Sequence, residues 1–300
     1  MNNCYCAVLI SVLLLFVGCN KWEGEDVYSD TSYSDKVISF RNSGAPFTKA
    51  YSDNTEGSIR ENGFGVACIT ENGVSVFNEK AVWDNSMSVY RPVSRLYYFP
   101  MSETISFYAV YPFSQLIKVS DAKASLLYTQ QPDLDLLASM KKDVAKTENS
   151  VPLEFNHILS LVKFYATGTD GNVVYILKSI SLSVPSGGEF RYSSFDWESD
   201  EISNEAFYSG SIVLDGVTSV PGAMTFVPCE PVLHVEWDTY DLDGKTLIAS
   251  YSENKSLGRP IRNGEECTVT LKLSNTQAES LAFEVIVSPW SETNKSIELN

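Results

Sequence analysis

The sequence predicts an all-β protein built from antiparallel β-sandwich domains, with few and short helices. Most of the chain after residue 36 consists of short runs of alternating apolar and polar residues, separated by Gly, Pro and Asn. No stretch keeps the 3.6-residue period of an amphipathic helix over about 12 residues. The chain also contains 16 Tyr, 15 Phe and 5 Trp, which are residue types that favour strands. Its 300 residues are enough for two domains, each with its own core.

The charge balance argues against a nucleic-acid-binding protein. The chain carries 22 Lys and Arg against 38 Asp and Glu, a net charge of −16, whereas binding phosphates requires a basic face. His157, beside Phe155 and Ile158, is predicted to be a hydrogen-bonded structural residue, and His234 lacks metal-site spacing. We therefore predict no enzyme activity, no catalytic residues, no metal and no cofactor. A degenerate hydrolase is the open alternative, and it would need a cleft with a close pair of carboxylates.

Residues 7–17 form an uncharged apolar run of the length found in secretory signal peptides, too short to span a bilayer. The run ends in Phe16-Val17-Gly18-Cys19, which resembles the lipobox of bacterial lipoproteins. This resemblance implies that residues 1–18 are removed and that Cys19 carries acyl chains that anchor the protein in the outer membrane. The other interpretation is a plain secretory signal in which the cysteine has no role.

Residues 19–36 are polar and acidic, without periodicity, and we expect them to form a flexible tether. Acidic residues soon after the cysteine resemble the surface-export signals of Bacteroidetes lipoproteins. A lipid-anchored protein exposed on the cell surface is therefore expected.

Three cysteines follow Cys19: Cys68, Cys229 and Cys267. Their number is odd and none has Cys-x-x-Cys spacing, so buried free thiols are the main prediction. One disulfide among the three stays open as an alternative.

Eight runs carry the strand pattern, and Asn72-Gly73 and Asp243-Gly244 predict hairpins between neighbouring runs. The segment 140–150 is the most charged and least periodic interior stretch, and it is the predicted domain boundary. The domains are therefore placed at 37–147 and 148–300. The strand runs are residues 64–70, 74–77, 105–111, 180–184, 232–237, 247–251, 268–273 and 283–287.

Several segments together resemble the fimbrillin-like, type V pilus subunit proteins of Bacteroidetes. They occur in the family's order between about residue 37 and residue 290, and Cys229 stands where the family usually has Gln. The segments are Tyr-Ala-Val-Tyr-Pro at 108–112, Asp-Leu-Leu-Ala at 135–138, the apolar segment 151–164 with its histidine, Phe-Val-Pro at 226–228 with the hairpin to Asp243-Gly244, residues 263–269, and Val-Ile-Val-Ser-Pro-Trp at 285–290.

This resemblance implies two transthyretin-like antiparallel β-sandwich domains of Greek-key type. It also implies a non-enzymatic fimbrial subunit that is exported as a lipoprotein, trimmed near its N-terminus by a trypsin-like, Arg-specific protease, polymerised by donor-strand exchange and active in cell adhesion. The implied partners are other pilus subunits, in a homopolymer or a heteropolymer, and a host or bacterial surface ligand. Stalk, tip and anchor roles all stay open.

The resemblance also indicates the two strands of the exchange. The displaced strand would be the run 36–40, with three apolar residues: Val37, Ile38 and Phe40. The donor would come from residues 281–300, with apolar residues at alternate positions: Phe283, Val285 and Val287. In the alternative interpretation, both segments are ordinary strands of their own domains.

The processing site departs from the family pattern. The family usually has Thr-Arg-Ala after the displaced strand, and this chain has Thr48-Lys49-Ala50. Lys49 is therefore the matching cleavage candidate, with Arg41 and Arg60 as alternatives. A subunit that is never trimmed is the remaining possibility.

The competing class of function is an outer-membrane glycan-binding lipoprotein. Trp83, Trp197, Trp237 and Trp290 could form a stacking platform for sugars, although aromatic residues in β-sandwiches more often pack in the core. A planar row of exposed Trp and Tyr would favour this function. An apolar groove beneath a terminal strand would favour strand exchange.

Overall fold

The computed structural model describes residues 33–43, 56–114, 117–120, 122–276 and 280–290. Within these ranges the chain has one helix, α1 (Glu56–Asn62), and 23 strands, so the prediction of an all-β protein is confirmed. The strands are β1 (Tyr33–Val37), β2 (Phe40–Asn42), β3 (Phe64–Thr70), β4 (Ser75–Asp84), β5 (Val89–Pro92), β6 (Tyr98–Pro100), β7 (Ile105–Tyr111), β8 (Ile117–Ser120), β9 (Lys123–Thr129), β10 (Leu137–Val144), β11 (Val151–Leu153), β12 (Asn156–His157), β13 (Ser160–Gly168), β14 (Val174–Pro185), β15 (Gly187–Arg191), β16 (Asp196–Ser199), β17 (Ile202–Val213), β18 (Thr218–Ser219), β19 (Met224–Phe226), β20 (Val232–Tyr240), β21 (Leu247–Ser256), β22 (Glu265–Leu273) and β23 (Leu281–Pro289).

An eight-stranded sheet organises the N-terminal half, in the order β11-β2-β5-β4-β3-β7-β10-β12. Strands β3 and β7 are buried on both faces, which explains why residues 64–69 are all buried. One face packs on the N-terminal core, a cluster that includes Phe40, Phe64, Phe107, Leu137 and Leu153. The Asn72-Gly73 hairpin between β3 and β4 forms as predicted, with Gly73 at a positive φ of 83°.

The second face of β3 and β7 packs on a four-stranded sheet with the order β16-β15-β9-β8. The apolar side chains between them form the junction core, which includes Ala67, Val110, Leu126, Phe190 and Tyr192. The hydroxyl of the fully buried Tyr192 donates a hydrogen bond to the carbonyl of Ala109 at 2.8 Å. Strands from both halves of the chain thus complete one sheet and one core.

The C-terminal half is a sandwich of two sheets. One has the order β18-β13-β22-β23 with β19 added to β13, and the other has the order β17-β14-β20-β21. Between them lies the C-terminal core, which includes Phe164, Leu177, Ile180, Trp237 and Val269. Strand β14 turns both Leu177 and Ile180 inward because a register shift between Leu177 and Ser179 changes the alternation.

Strand pairs connect residues on the two sides of the predicted boundary at 147/148. Strands β11 and β12 lie after it but pair with β2 and β10 of the N-terminal sheet, and β15 pairs with β9. The charged segment 140–150 contains the end of β10 and an exposed loop, which agrees with its charge and its lack of periodicity.

Three further observations differ from or complete the sequence predictions. Two strand pairs, β13–β22 and β11–β2, are parallel, whereas only antiparallel pairs were expected. The expected tether reaches residue 36, but β1 begins at Tyr33, and residues 19–32 lie outside the described ranges. Cys68 and Cys267 are buried free thiols as predicted, and Cys229 is a half-buried free thiol.

Candidate functional site

The segment predicted to be displaced connects a two-stranded ribbon to an interior strand of the N-terminal sheet. Strand β1 pairs with β6 in a two-stranded ribbon, and β2 lies between β11 and β5. Ile38 and Phe40 are fully buried, and Val37 is half-buried. A local run of five residues contains no signal for its parallel pairing with β11.

Backbone hydrogen bonds hold this segment from both sides. The amide of Ile38 donates to the carbonyl of Tyr97 at 2.7 Å, and the carbonyl of Ser39 accepts from the amide of Val151 at 2.7 Å. The amide of Ser43 donates to the carbonyl of Leu153 at 3.0 Å. Removing the segment would leave these groups of β11 and of the loop before β6 without partners.

Its side chains fill a space in the N-terminal core. The ring of Phe40 lies with its centroid 5.1 Å from that of Phe107 and 6.1 Å from that of Phe64. Next to Ile38 is a small cavity of about 50 Å³, lined by Val76 and Ile105 among others. Loss of β2 would therefore open an apolar groove between β5 and β11.

The three processing candidates lie in different surroundings. Lys49 is outside the described residues. Arg41 has an exposed side chain, but its backbone lies within β2, paired with Pro152 of β11. Arg60 is in helix α1, and its guanidinium lies 4.2 Å from the centre of the Trp83 ring. Proteases cut extended, accessible backbone, so the surroundings of Arg41 and Arg60 disfavour cleavage there.

The described part of the predicted donor forms β23, an edge strand that pairs with β22 from Leu281 to Pro289. Three side chains face the C-terminal core and are half-buried: Phe283, Val285 and Val287. Ile286 faces outward and is 50% exposed. Residues 291–300 lie outside the described ranges.

Three motif residues from distant parts of the chain meet beside the end of β23. The Nδ1 atom of His157 lies 3.0 Å from both carboxylate oxygens of Asp135. The Trp290 ring stacks on the His157 ring with 4.0 Å between centroids, and the Trp290 amide donates to the carbonyl of Gly264 at 2.6 Å. The predicted hydrogen-bonded, structural character of His157 is confirmed. Its contact with Trp290 was not anticipated, although both belong to the motifs of the resemblance.

The other candidate residues from the sequence lie in packed or hydrogen-bonded surroundings. The ring nitrogens of His234 lie 2.6 Å from the Ser183 hydroxyl and 2.5 Å from the Asn254 side-chain oxygen. In the part of the chain that the structure describes, no group of three or more His, Cys, Asp or Glu side chains could hold a metal ion. Burial raises the pKa of the Cys68 thiol, which keeps it protonated.

A family model described as fimbrillin-like matches residues 48–290, which is most of the chain. The chain belongs to the fimbrillin-like family. This family comprises fimbrial and cell adhesion proteins of the cell surface and is not a known enzyme family. The predicted family is thereby confirmed.

Solved structures show the same fold. A fimbrial protein from Bacteroides vulgatus matches this fimbrillin-like chain with a TM-score of 0.65 at 14% identity, over 85% of this chain and 100% of the other. A candidate cell adhesion protein from Parabacteroides distasonis has a TM-score of 0.54 at 11% identity, over 87% of this chain and 98% of the other. No curated protein matches the sequence significantly. Within the described ranges, no helix is long and apolar enough to cross a membrane.

Proposed function

We propose that this fimbrillin-like chain is a fimbrial subunit that is anchored at the cell surface, polymerises by donor-strand exchange and serves cell adhesion. The observation that carries the proposal is the position of β2. It is paired on both sides and fills the N-terminal core, yet it belongs to a segment near the N-terminus that a single cleavage would separate. A neighbouring subunit could supply a strand with the same alternation.

The energetics favour refilling the groove. Ile38 and Phe40 are fully buried, and burying a side chain of this size contributes about 1.5–3 kcal/mol. The backbone groups of β11 would also lose their hydrogen bonds. A trimmed subunit therefore has a strong tendency to bind an extended apolar segment.

Two segments are candidates for that donor. Strand β23 has the right alternation, but its release would break its pairing along β22 and the stacking of Trp290 on His157. The sequence after Trp290 contains Ile297 and Leu299, spaced two residues apart like Ile38 and Phe40. Intermolecular disulfide crosslinks from a cysteine placed in each segment would distinguish the two donors.

Lys49 is the proposed processing residue, because the backbone of Arg41 is paired in β2 and Arg60 is helical. The test compares trypsin-treated full chain with the variants Lys49→Gln, Arg41→Gln and Arg60→Gln. Treated wild type, Arg41→Gln and Arg60→Gln should form SDS-resistant ladders, while Lys49→Gln stays monomeric. If trimmed, folded wild type remains monomeric, the polymerising role is wrong.

Lipid anchoring through Cys19 is a separate part of the proposal, supported by the lipobox-like sequence. Replacing Cys19→Ala should move the expressed protein from the detergent phase to the aqueous phase in a phase-partitioning experiment. Continued partitioning of the variant into detergent would contradict the lipoprotein assignment.

The glycan-binding function lacks its expected platform. Trp237 and Trp290 are buried, and Trp83 and Trp197 are half-buried and packed on other rings. Among the described residues these four tryptophans therefore do not form an exposed row. Strand exchange is the better-supported function.

A further inference from the structure

Two consecutive hydrogen bonds link Ser183, His234 and Asn254 on the outer face of the sheet β17-β14-β20-β21. The three residues lie on the neighbouring strands β14, β20 and β21. Leu182 and Val184 are fully buried in the C-terminal core, so Ser183 between them points to the opposite face. Ser183 and His234 are half-buried, and Asn254 is exposed. The three side chains therefore meet on a face that solutes can reach.

The direction of both hydrogen bonds follows from the groups involved. The side-chain oxygen of Asn254 only accepts, so the Nδ1 atom of His234, 2.5 Å away, carries the proton of that bond. In a neutral imidazole the other nitrogen is then an acceptor. The Nε2 atom of His234 therefore accepts a hydrogen bond from the Ser183 hydroxyl at 2.6 Å. In this arrangement a histidine can take the proton of a serine nucleophile while a third group orients the ring.

A donor for a developing oxyanion lies on the other side of Ser183. Asn204 of β17 is its direct cross-strand partner, which places the two Cβ atoms about 4.5–5.5 Å apart on the same face. The Asn204 side chain is exposed, and no hydrogen bond within the described residues uses its NH₂ group. A carbonyl group attacked by the Ser183 oxygen would lie beside this amide, which could donate to it.

The side chains around Ser183 indicate which substrate fits. Ser181 and Ala206 form a cross-strand pair of small residues next to it, and they leave room on the face. Val232 of β20 is half-buried and lies directly across from Ser183, where it offers an apolar contact. A flat sheet surface of this kind suits a small acyl group, such as an acetyl group, that a larger molecule carries.

We propose that Ser183 is the nucleophile of an ester-cleaving site on this face, with short-chain acyl esters as substrates. The Ser183 oxygen attacks the carbonyl carbon, and its proton passes to Nε2 of His234. The C–O bond to the alcohol then breaks, and His234 gives the proton to the leaving oxygen. Water next attacks the acyl-serine, with its proton passing to His234. The bond to Ser183 breaks, the serine regains the proton, and the products are an alcohol and a carboxylic acid.

The other two residues have different roles. Asn204 stabilises the oxyanion in both steps, whereas Asn254 is a positioning residue because it acts only through the His234 ring. The activity does not depend on strand exchange. It would add a hydrolytic function to a chain for which the sequence predicts no enzyme activity.

The test treats the full chain in detergent solution with a fluorophosphonate probe and, separately, with p-nitrophenyl acetate. The probe should label Ser183, as mass spectrometry can show, and labelling should be lost in Ser183→Ala and His234→Gln. Both variants should hydrolyse p-nitrophenyl acetate at least about 100-fold more slowly, because nucleophile and general base act together. Asn204→Ala should slow hydrolysis at least about tenfold, because the oxyanion loses its donor.

Ser181→Ala is the matched control, because Ser181 lies two residues earlier on the same strand and the same face. It should be labelled and should hydrolyse the ester like the wild type. Asn254→Ala should slow hydrolysis about tenfold, and Asn254→Asp should restore it, because a carboxylate also accepts from Nδ1. An Asn254→Asp rate no higher than that of Asn254→Ala would overturn the positioning role.

Three outcomes would overturn the proposal as a whole. They are the absence of label on Ser183 in folded wild type, labelling that persists in His234→Gln, and ester hydrolysis that Ser183→Ala leaves unchanged. The variant Ser183→Ala removes one hydroxyl from a half-buried position, so it tests the site even if His234→Gln folds poorly.

Discussion

Phe40 belongs to the segment that would leave the subunit, yet its ring contacts Phe64 and Phe107 in the N-terminal core. Its neighbour Arg41 is exposed on the other side of the same strand. One strand therefore combines a side chain that stabilises the untrimmed fold with a side chain that contributes little to it. This contrast allows a direct test of what β2 contributes.

Replacing Phe40→Ala should lower the free energy of unfolding of the untrimmed chain by about 3–5 kcal/mol, because it leaves a cavity in a closed core. Arg41→Ala is the control on the same strand and should change the free energy of unfolding by less than about 0.5 kcal/mol. Denaturant titration measures both values. Similar, small effects of the two variants would show that β2 does not support the core.

At the scale of elements, the alternation of apolar and polar residues predicts where strands lie. It does not predict which strands pair with each other. The bounds of β3 and β7 match the predicted runs, because apolar alternation and turn residues mark them locally. Strand β17 was missed because most of its residues are polar or exposed. The apolar character of Ile38 and Phe40 was visible in the sequence, but their interior position was not. That position depends on pairing with β11, which lies far along the chain. Local sequence patterns do not predict such a long-range pairing.

Trimming after residue 49 should leave the rest of the N-terminal sheet folded. The junction core still covers one face of β3 and β7 after β2 has gone, since none of its residues comes from the released segment. Hydrogen exchange of the trimmed chain should therefore increase mainly in β5, β6 and β11, while β13 and β22 keep their protection. Uniformly fast exchange throughout the chain would mean that trimming unfolds the subunit instead of opening a groove.

At the scale of the whole molecule, the two halves are joined by strand pairing. Strand β15 pairs with β9, and the Tyr192 hydroxyl reaches the Ala109 carbonyl across the junction core. Such shared structure predicts that the halves unfold together. A rigid junction would also transmit tension along a fimbrium.

Tyr192→Phe should lower the stability of both halves together by about 1 kcal/mol, because the buried hydrogen bond from its hydroxyl to the carbonyl of Ala109 is lost. Tyr165→Phe is the control, since Tyr165 is 37% exposed on β13. Fluorescence and hydrogen exchange should report one shifted transition for Tyr192→Phe. Two separate transitions, only one of them shifted, would contradict a shared junction.

Intermolecular disulfide trapping tests strand exchange most directly. Cysteine is introduced at Pro152, which neighbours Arg41 in the intact sheet, and on a second sample of the chain at Ile286 or at Glu298. Mixed, trimmed and oxidised samples should yield disulfide-linked dimers from Pro152→Cys with one of the two donor variants, and untrimmed samples should yield none. The chain without added cysteines controls for Cys68, Cys229 and Cys267. Folded, trimmed subunits that form no such dimer with either donor variant would contradict the account.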